Sequence, residues 1–167
     1  DKVREYKANV VIYTGYARQA TSLFSQLRNS GFTGIIAGTE SLQFPSILEF
    51  ARTTVLEGVR FVASTVSLAS ISSDLENNFR QVIGRSSGNY APESLNATNV
   101  LLYCIANGVT TRSQMLACIK SYKGSSLRGQ LQSFDVNGDA SQPDVYEFEI
   151  RSGSYIYKNT TGRPQQN

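Results

Sequence analysis

The feature that most constrains the fold is an alternation of short apolar runs with helical patterns. Residues 9–13, 34–38 and 59–63 are short runs dominated by Val, Ile, Phe and Ala. Runs of this length and composition predict strands that are buried on both faces of a sheet. Residues 17–29, between the first two runs, carry apolar side chains at helical spacing. Strands that alternate with helices over such short connections predict a parallel sheet with right-handed crossovers.

Beyond residue 63 the pattern changes. Residues 64–73 are rich in Ser and predict an extended connection. The alternation of apolar and polar residues over 144–150, with a turn at 151–153, predicts a hairpin that returns through 154–157. Residues 159–167 predict a polar tail. Further helices are predicted at residues 45–52, 74–84, 92–107 and 110–122.

The composition excludes several classes of function. The chain has no His, which removes the commonest general base and metal ligand, and no Ser has an evident base beside it. Cys104 and Cys118 lack zinc-type spacing and form either a disulfide or two buried thiols. The net charge of +3 comes from scattered residues, so nucleic-acid binding is not expected. We therefore expect no catalytic residue, no metal site and no cofactor.

One segment imitates a metal site. Asp135, Asn137 and Asp139 have the spacing that begins a calcium-binding loop. Ala140 stands where such a loop requires Gly, and Tyr146 stands where it requires a bidentate Glu. The segment is therefore predicted to be a plain turn.

Four local patterns occur along the chain in a fixed order. They are Thr14-Gly15-Tyr16 entering a helix that ends in Arg28-Asn29-Ser30-Gly31-Phe32, then Ala37-Gly38-Thr39-Glu40-Ser41, then Leu56-Glu57-Gly58-Val59, and finally Gly129, Phe134-Asp135 and Asn137-Gly138-Asp139. In this order and spacing they resemble the C-terminal half of the type 1 periplasmic binding proteins, the leucine/isoleucine/valine-binding group of ABC transporter substrate-binding proteins. The resemblance covers about residues 8–158.

The resemblance implies an α/β fold, a Rossmann-like three-layer αβα arrangement with a parallel sheet, as part of a two-lobed type 1 binding-protein fold. In this family the ligand lies between two lobes that three chain crossings connect. The implied segments are a second-lobe α/β segment at 1–63, a helical segment of the first lobe at 64–133, a hairpin at 134–158 that closes the second lobe, and the tail at 159–167. Two of the hinge crossings would fall at Ser64 and Thr65 and near Phe134.

The resemblance also implies a ligand site. The second lobe of the family offers an aromatic side chain after the glycine of the first pattern and an acid in the second pattern, which correspond to Tyr16 and Glu40. Both follow the carboxyl ends of parallel strands, where open α/β sheets bind ligands. A carboxylate in a closed cleft pairs well with an α-ammonium group, and a Tyr ring covers an apolar part of the ligand. Thr14 and Thr39 would line the same mouth.

Each of these four residues also has a purely structural interpretation. Glu40 can also be interpreted as a solvated loop carboxylate, and Tyr16 as an aromatic side chain that packs on the sheet where a helix begins. Thr14 and Thr39 read as turn residues.

The function that the resemblance implies is the capture of a free amino acid, branched-chain or similar, by lobe closure and its delivery to an ABC transporter. The implied partners are the amino acid and, through the parent protein, a membrane permease. The implied location is the periplasm or the cell exterior, including attachment as a lipoprotein. Three alternatives stay open: the ligand-binding module of a receptor or sensor, an enzyme on a doubly wound sheet, and an interaction domain that kept the fold and lost the ligand.

The sequence departs from the family in one respect. The opening strands of the first lobe have no counterpart here, and the groups that hold an α-carboxylate in the family are absent with them. We therefore expect a fragment whose apolar surfaces are covered by a missing N-terminal half or in an oligomer. The first residues contain no apolar signal core, so a signal peptide, if the protein has one, is expected upstream of them. No apolar run approaches the roughly 20 residues that span a bilayer.

Overall fold

The computed structural model describes residues 2–43, 46–141 and 143–161, which form two compact units. The first unit contains the chain up to Ser64 together with Val145–Thr161. The second unit contains Thr65–Asp144. The chain therefore leaves the first unit after Ser64 and re-enters it at Val145.

The elements are named here in chain order. The strands are β1 (Val10–Tyr13), β2 (Ile35–Thr39), β3 (Arg60–Ala63), β4 (Gly124–Ser125), β5 (Leu131–Gln132), β6 (Val145–Arg151) and β7 (Ser154–Thr161). The helices are α1 (Lys2–Glu5), α2 (Ala17–Asn29), α3 (Thr53–Leu56), α4 (Leu68–Ile71), α5 (Ser73–Ile83), α6 (Ala91–Ala106) and α7 (Arg112–Ser121). Single 3₁₀ turns cover Glu40–Leu42 and Ile47–Glu49.

The first unit is a five-stranded mixed sheet in the order β1-β2-β3-β6-β7. β1, β2 and β3 are parallel, as the strand–helix alternation predicts, and the β6–β7 hairpin adds two antiparallel pairings. The α/β fold class is thus confirmed. Because the three parallel strands run in the same direction, their carboxyl ends meet at one edge of the sheet.

One face of this sheet forms the core of the first unit. Ile36, Phe61 and Ile150 project from this face and are fully buried. Each such side chain contributes about 1.5–3 kcal/mol when it is removed from water. Helix α2 packs on the same face, since the ring of Phe24 meets the ring of Tyr13 edge-on at 5.5 Å. The stripe of buried residues on α2 confirms the helix predicted over residues 17–29.

The opposite face differs from the expectation that these strands are buried on both sides. Many of the residues that alternate with the core residues are exposed, and several of these are large and apolar, whereas Glu149 on the same face is buried. We call this surface the open face; its exposed apolar members are Val10, Ile12, Ile35, Val62 and Ile156.

The second unit is built mainly from helices α4 to α7 and the short β4–β5 ladder. A disulfide joins Cys104 of α6 to Cys118 of α7, which decides between the two alternatives that the sequence leaves open. Thr65 is buried, and its hydroxyl oxygen lies 2.6 Å from the carbonyl oxygen of Asn89 and 2.8 Å from the Glu93 carboxylate, so these two acceptors share its single proton. These hydrogen bonds fix the start of the unit to its longest helix.

Two predicted segments differ in local structure. The connection predicted as extended contains α4, because the Ser67 side chain accepts a hydrogen bond from the backbone N–H of Ser70 and caps the helix. The helix predicted at 45–52 is instead a 3₁₀ turn at Ile47–Glu49, and α3 begins only after Arg52, whose extended backbone interrupts the helical path. Pro45, the predicted first residue of that helix, lies outside the described residues.

The predicted segment boundaries also differ from those of the structure. Residues 134–144 were expected with the closing hairpin but lie in the second unit, where Phe134 forms a β-bridge with Ala140 and Arg128 lies 3.5 Å from the Asp144 carboxylate. Strand β7 extends to Thr161, beyond the predicted start of the tail at residue 159, because Thr161 still pairs with Val145. The rest of the predicted tail lies outside the described residues.

Candidate functional site

A depression of about 430 Å³ lies at the carboxyl ends of the three parallel strands, within the first unit. Its lining combines hydroxyl groups, one carboxylate, one aromatic ring and small apolar side chains. The lining residues are Thr14, Tyr16, Thr39, Glu40, Ser41, Val62, Ala63, Ser64 and Val145. The structure therefore brings together all four residues that the sequence nominates, because each follows or ends a parallel strand.

The carboxylate of Glu40 is held by the residue that follows β3. The Ser64 hydroxyl donates to Glu40 Oε2 at 2.8 Å, and the Ser64 backbone N–H donates to the same oxygen at 3.2 Å. Hydrogen bonds to an ionised acceptor are stronger than neutral ones. Glu40 itself begins a 3₁₀ turn directly after β2 and is half-buried. The carboxylate is thus oriented from two neighbouring strand ends.

A chain of hydroxyl groups connects the ends of β1 and β2. The Ser41 hydroxyl donates to the carbonyl oxygen of Gly15 at 2.7 Å. The Thr39 hydroxyl lies 2.8 Å from the same Ser41 oxygen. Since Ser41 has one hydroxyl proton and gives it to Gly15, Thr39 is the donor of the second bond. Thr39 thereby supports the turn structurally while it lines the depression.

Tyr16 stands at the N-cap position of α2, and its side chain is 71% exposed. Its backbone oxygen accepts a hydrogen bond from the Tyr13 hydroxyl at 3.1 Å. A Cβ atom at Gly15 would collide with the far end of the Tyr13 side chain, so a larger residue here would displace that ring. The interpretation of Tyr16 as an aromatic residue that packs on the sheet does not fit this exposure. Thr14, before the glycine, is also exposed.

Sequence reasoning assigned Ser64 to a hinge and overlooked it as a site residue. The signal was nevertheless available, since Ser64 follows β3 directly, as Glu40 follows β2 and Thr14 follows β1. Val62 and Val145 were also overlooked, and they give the depression an apolar wall.

Within residues 2–43, 46–141 and 143–161, no group of three or more His, Cys, Asp or Glu is arranged to hold a metal ion. Asp135 is the first residue of the calcium-like segment. Its carboxylate instead accepts hydrogen bonds from the backbone N–H groups of Asn137 and Asp139, which closes a turn. Among the described helices, none is both long and apolar enough to cross a bilayer.

The fold of the chain is similar to that of solute-binding proteins of ABC transporters. Comparison of the sequence with models of protein families and with curated protein sequences gives no match. The fold, however, matches solved structures over nearly the whole chain. The leucine-binding protein of Thermotoga maritima matches with a TM-score of 0.77 and 21% identity, over 95% of this chain and 46% of that protein.

Two further matches are structures with an amino acid bound. The substrate-binding protein of an ABC transporter from Desulfitobacterium hafniense, in complex with leucine, has a TM-score of 0.69 and 16% identity over 95% of this chain and 46% of its own. The substrate-binding protein of a branched-chain amino acid transporter from Streptococcus pneumoniae, in complex with isoleucine, has a TM-score of 0.70 and 13% identity over 94% and 48%. The chain therefore has the fold of these transport proteins and spans less than half of their length.

Proposed function

We propose that this chain is the part of an extracytoplasmic solute-binding protein that receives the ammonium group of a free amino acid. The observation that carries the proposal is the Glu40 carboxylate, oriented by two hydrogen bonds from Ser64 in a depression at the strand ends. Carboxyl ends of strands in open α/β sheets are the usual ligand sites of such folds. An α-ammonium group supplies the positive charge and the N–H donors that such a carboxylate accepts.

The other lining residues favour an amino acid with an apolar side chain. The exposed ring of Tyr16 offers a flat apolar surface with a polar hydroxyl at its edge. Val62 and Val145 add aliphatic surface on the same depression. Branched-chain amino acids combine an ammonium group with an aliphatic side chain, and the matched proteins crystallised with leucine and isoleucine support this class.

The proposed mechanism is closure of two lobes on the ligand, followed by delivery to a membrane permease, without covalent chemistry. The chain passes from one unit to the other between Ser64 and Thr65, so the residue that holds Glu40 is also the last residue before a crossing. A hinge at this crossing would couple ligand capture to the relative position of the lobes. The disulfide between Cys104 and Cys118 fits an oxidising compartment outside the cytoplasm.

The experiment is an affinity measurement on the two-lobed protein that contains this chain. Glu40→Gln keeps the shape of the side chain and removes its charge. We expect the variant to bind leucine and isoleucine at least about 30-fold more weakly in calorimetry, since loss of one partner of a buried charge pair costs about 2–5 kcal/mol.

The matched control is Glu49→Gln, which removes an exposed carboxylate of the same unit outside the depression. This control should bind with unchanged affinity. If Glu40→Gln binds every common amino acid as tightly as the unmodified protein does, the site assignment is refuted.

A further inference from the structure

A side-chain hydrogen bond connects the two turns that carry Tyr16 and Glu40. The turn with Tyr16 follows β1, and the 3₁₀ turn with Glu40 follows β2. Beyond the last pair of the β1–β2 ladder, the Ser41 hydroxyl donates to the carbonyl oxygen of Gly15 at 2.7 Å. The bond thus joins the residue after Glu40 to the residue before Tyr16. It restricts the separation of the two groups that the proposed ligand contacts.

The 3₁₀ turn provides a firm base for this bond. Leu42, at the end of the turn, is fully buried and packs against Gly38 of β2. Glu40, at the start of the turn, accepts two hydrogen bonds from Ser64. Ser41 lies between these two anchors. Its hydroxyl is therefore presented from a backbone that is held on both sides.

The turn before α2 is the more exposed of the two. Thr14 is exposed, and so is the ring of Tyr16. Within this turn, the Tyr13 hydroxyl donates to the backbone oxygen of Tyr16 at 3.1 Å in an exposed position, where water competes for both groups. The bond from Ser41 is shorter and partly buried. Loss of the Ser41 hydroxyl should therefore loosen the Tyr16 side of the site and leave the Glu40 side in place.

The two hydroxyl groups of this connection are committed to it. Ser41 gives its single proton to Gly15, and Thr39 gives its own to the Ser41 oxygen, 2.8 Å away. Neither hydroxyl has a proton left to donate to a ligand, although both residues line the depression. Hydrogen bonds in series polarise one another, so Thr39 strengthens the bond from Ser41. What remains for both side chains is to hold the turn that bears Tyr16.

We propose that Ser41, supported by Thr39, determines how the site discriminates between amino acids by the size of their side chains. This inference rests on the proposed function, in which Glu40 receives the ammonium group and Tyr16 covers the apolar side chain. The ammonium group is common to free amino acids, whereas apolar contact with the ring grows with the side chain. A ring held at a fixed distance from Glu40 is already in place for a branched aliphatic side chain. Ser41 and Thr39 are thus positioning residues.

The test compares leucine with alanine in the two-lobed protein that contains this chain. Ser41→Ala removes the hydroxyl and leaves the Glu40 carboxylate with both of its donors. We expect the affinity for leucine to fall at least about fourfold, which is the effect of one methylene group of apolar contact. The affinity for alanine should change by less than about twofold, because its side chain makes little use of the ring. The ratio of the two dissociation constants, measured by calorimetry, is the readout.

Further variants test the route of the effect. Thr39→Val keeps the shape of the side chain and removes only its support of Ser41, so it should lower the preference for leucine by a smaller factor. Ser41→Thr retains the hydroxyl and should retain the preference. The matched control is Thr21→Val, which removes a hydroxyl that donates to the backbone oxygen of Ala17 within α2 at 3.2 Å. This control should leave the ratio unchanged.

A second readout needs no ligand. The chain contains no Trp, so Tyr16→Trp places a single fluorophore at the position of the ring in the 167-residue chain. Time-resolved fluorescence anisotropy then reports the motion of this side chain. Adding Ser41→Ala should increase the amplitude of its fast motion, and adding Thr21→Val should not.

An unchanged ratio of leucine to alanine affinity in Ser41→Ala would overturn the proposal. An equal loss of affinity for both amino acids would also overturn it, because a general disturbance of the site has that effect. So would an anisotropy decay that Ser41→Ala leaves unaltered. A failure of the proposed function has a different signature, since Glu40→Gln would then bind both amino acids as tightly as the unmodified protein does.

Discussion

At the scale of single residues, the candidate site depends on how a flexible carboxylate is held in place. Glu40 extends from a short 3₁₀ turn, and the two hydrogen bonds from Ser64 restrict the rotamers that its side chain adopts. Fixing the carboxylate before the ligand arrives reduces the conformational entropy that is lost on binding. Ser64 therefore acts on the ligand through Glu40 and is a positioning residue.

The prediction is that Ser64→Ala weakens amino-acid binding by roughly tenfold in the two-lobed protein. The change removes the hydroxyl donor at 2.8 Å and leaves the backbone N–H in place. Hydrogen bonds to charged groups contribute about 1.5–3 kcal/mol, part of which the backbone donor and water retain. Calorimetry measures the affinity. Ser64→Thr retains the hydroxyl and should bind nearly as well as the unmodified protein, whereas a general loss of fold would weaken both variants alike.

At the scale of elements, the second unit relies on its disulfide. Helix α7 has no buried residue, so it contributes little apolar burial of its own. The bridge between Cys104 and Cys118 closes a loop across a sequence separation of 14. A cross-link over a loop of this length stabilises by about 3 kcal/mol through the entropy of the unfolded chain.

We therefore expect the double variant Cys104→Ala, Cys118→Ala to unfold at a lower urea concentration than the native chain, in the transition that reports on the second unit. Far-UV circular dichroism follows this transition because α6 and α7 are helical. A thiol reductant should shift the native chain in the same direction and leave the double variant unchanged. Equal midpoints for the oxidised and reduced native chain would show that the bridge contributes no stability.

The elements also show where sequence reasoning succeeds. α2 was predicted at its observed bounds because four of its side chains, at helical spacing, are buried against the sheet. The helix predicted at residues 45–52 is absent from the structure. The apolar residues of this segment occur at helical spacing, but its backbone forms separate turns. The Ser-rich segment was predicted to be extended, but it contains α4. The cap of this helix depends on one hydrogen bond, from the backbone N–H of Ser70 to the Ser67 hydroxyl oxygen, which the sequence pattern does not reveal. Patterns of burial can be read from a sequence more reliably than interruptions of the backbone.

At the scale of the whole molecule, the sequence predicts where the site residues lie more firmly than it predicts what they bind. The sequence places Tyr16 and Glu40 at neighbouring strand ends, and the structure brings them to one depression. Their ligand role stays a prediction. The sequence predicts apolar surfaces that need a cover, but a run such as β1 indicates burial on both sides and does not show which face of the sheet is left exposed. Ser64 was overlooked because its position at the crossing between units suggested a hinge first.

Among the described residues, Glu149 in the first unit and Glu76 in the second are buried, and neighbouring groups stabilise the charge of each carboxylate. In the first unit, the Arg151 guanidinium, together with Lys158, lowers the pKa of Glu149 below its ordinary value of 4.5 although burial opposes this. In the second unit, the hydroxyl of Ser87, at 2.6 Å, and the guanidinium of Arg80, at 2.9 Å, lower the pKa of Glu76 in the same direction. Acid should therefore affect both units.

The direction in which stability changes with pH follows from proton linkage. A carboxyl group whose pKa is lower in the folded state binds fewer protons there than in the unfolded chain, so its stabilising contribution is present above the ordinary value of 4.5 and is lost as the pH falls through the folded pKa. We expect the melting temperature to stay level from about pH 7 to about pH 5 and then to fall towards about pH 3. Glu149→Gln should melt lower at neutral pH and show a weaker fall in acid for the first unit, and Glu76→Gln should do the same for the second. Glu5→Gln, which removes an exposed carboxylate, should reproduce the native profile. If both buried variants also follow the native profile, these two carboxylates do not cause the loss of stability in acid.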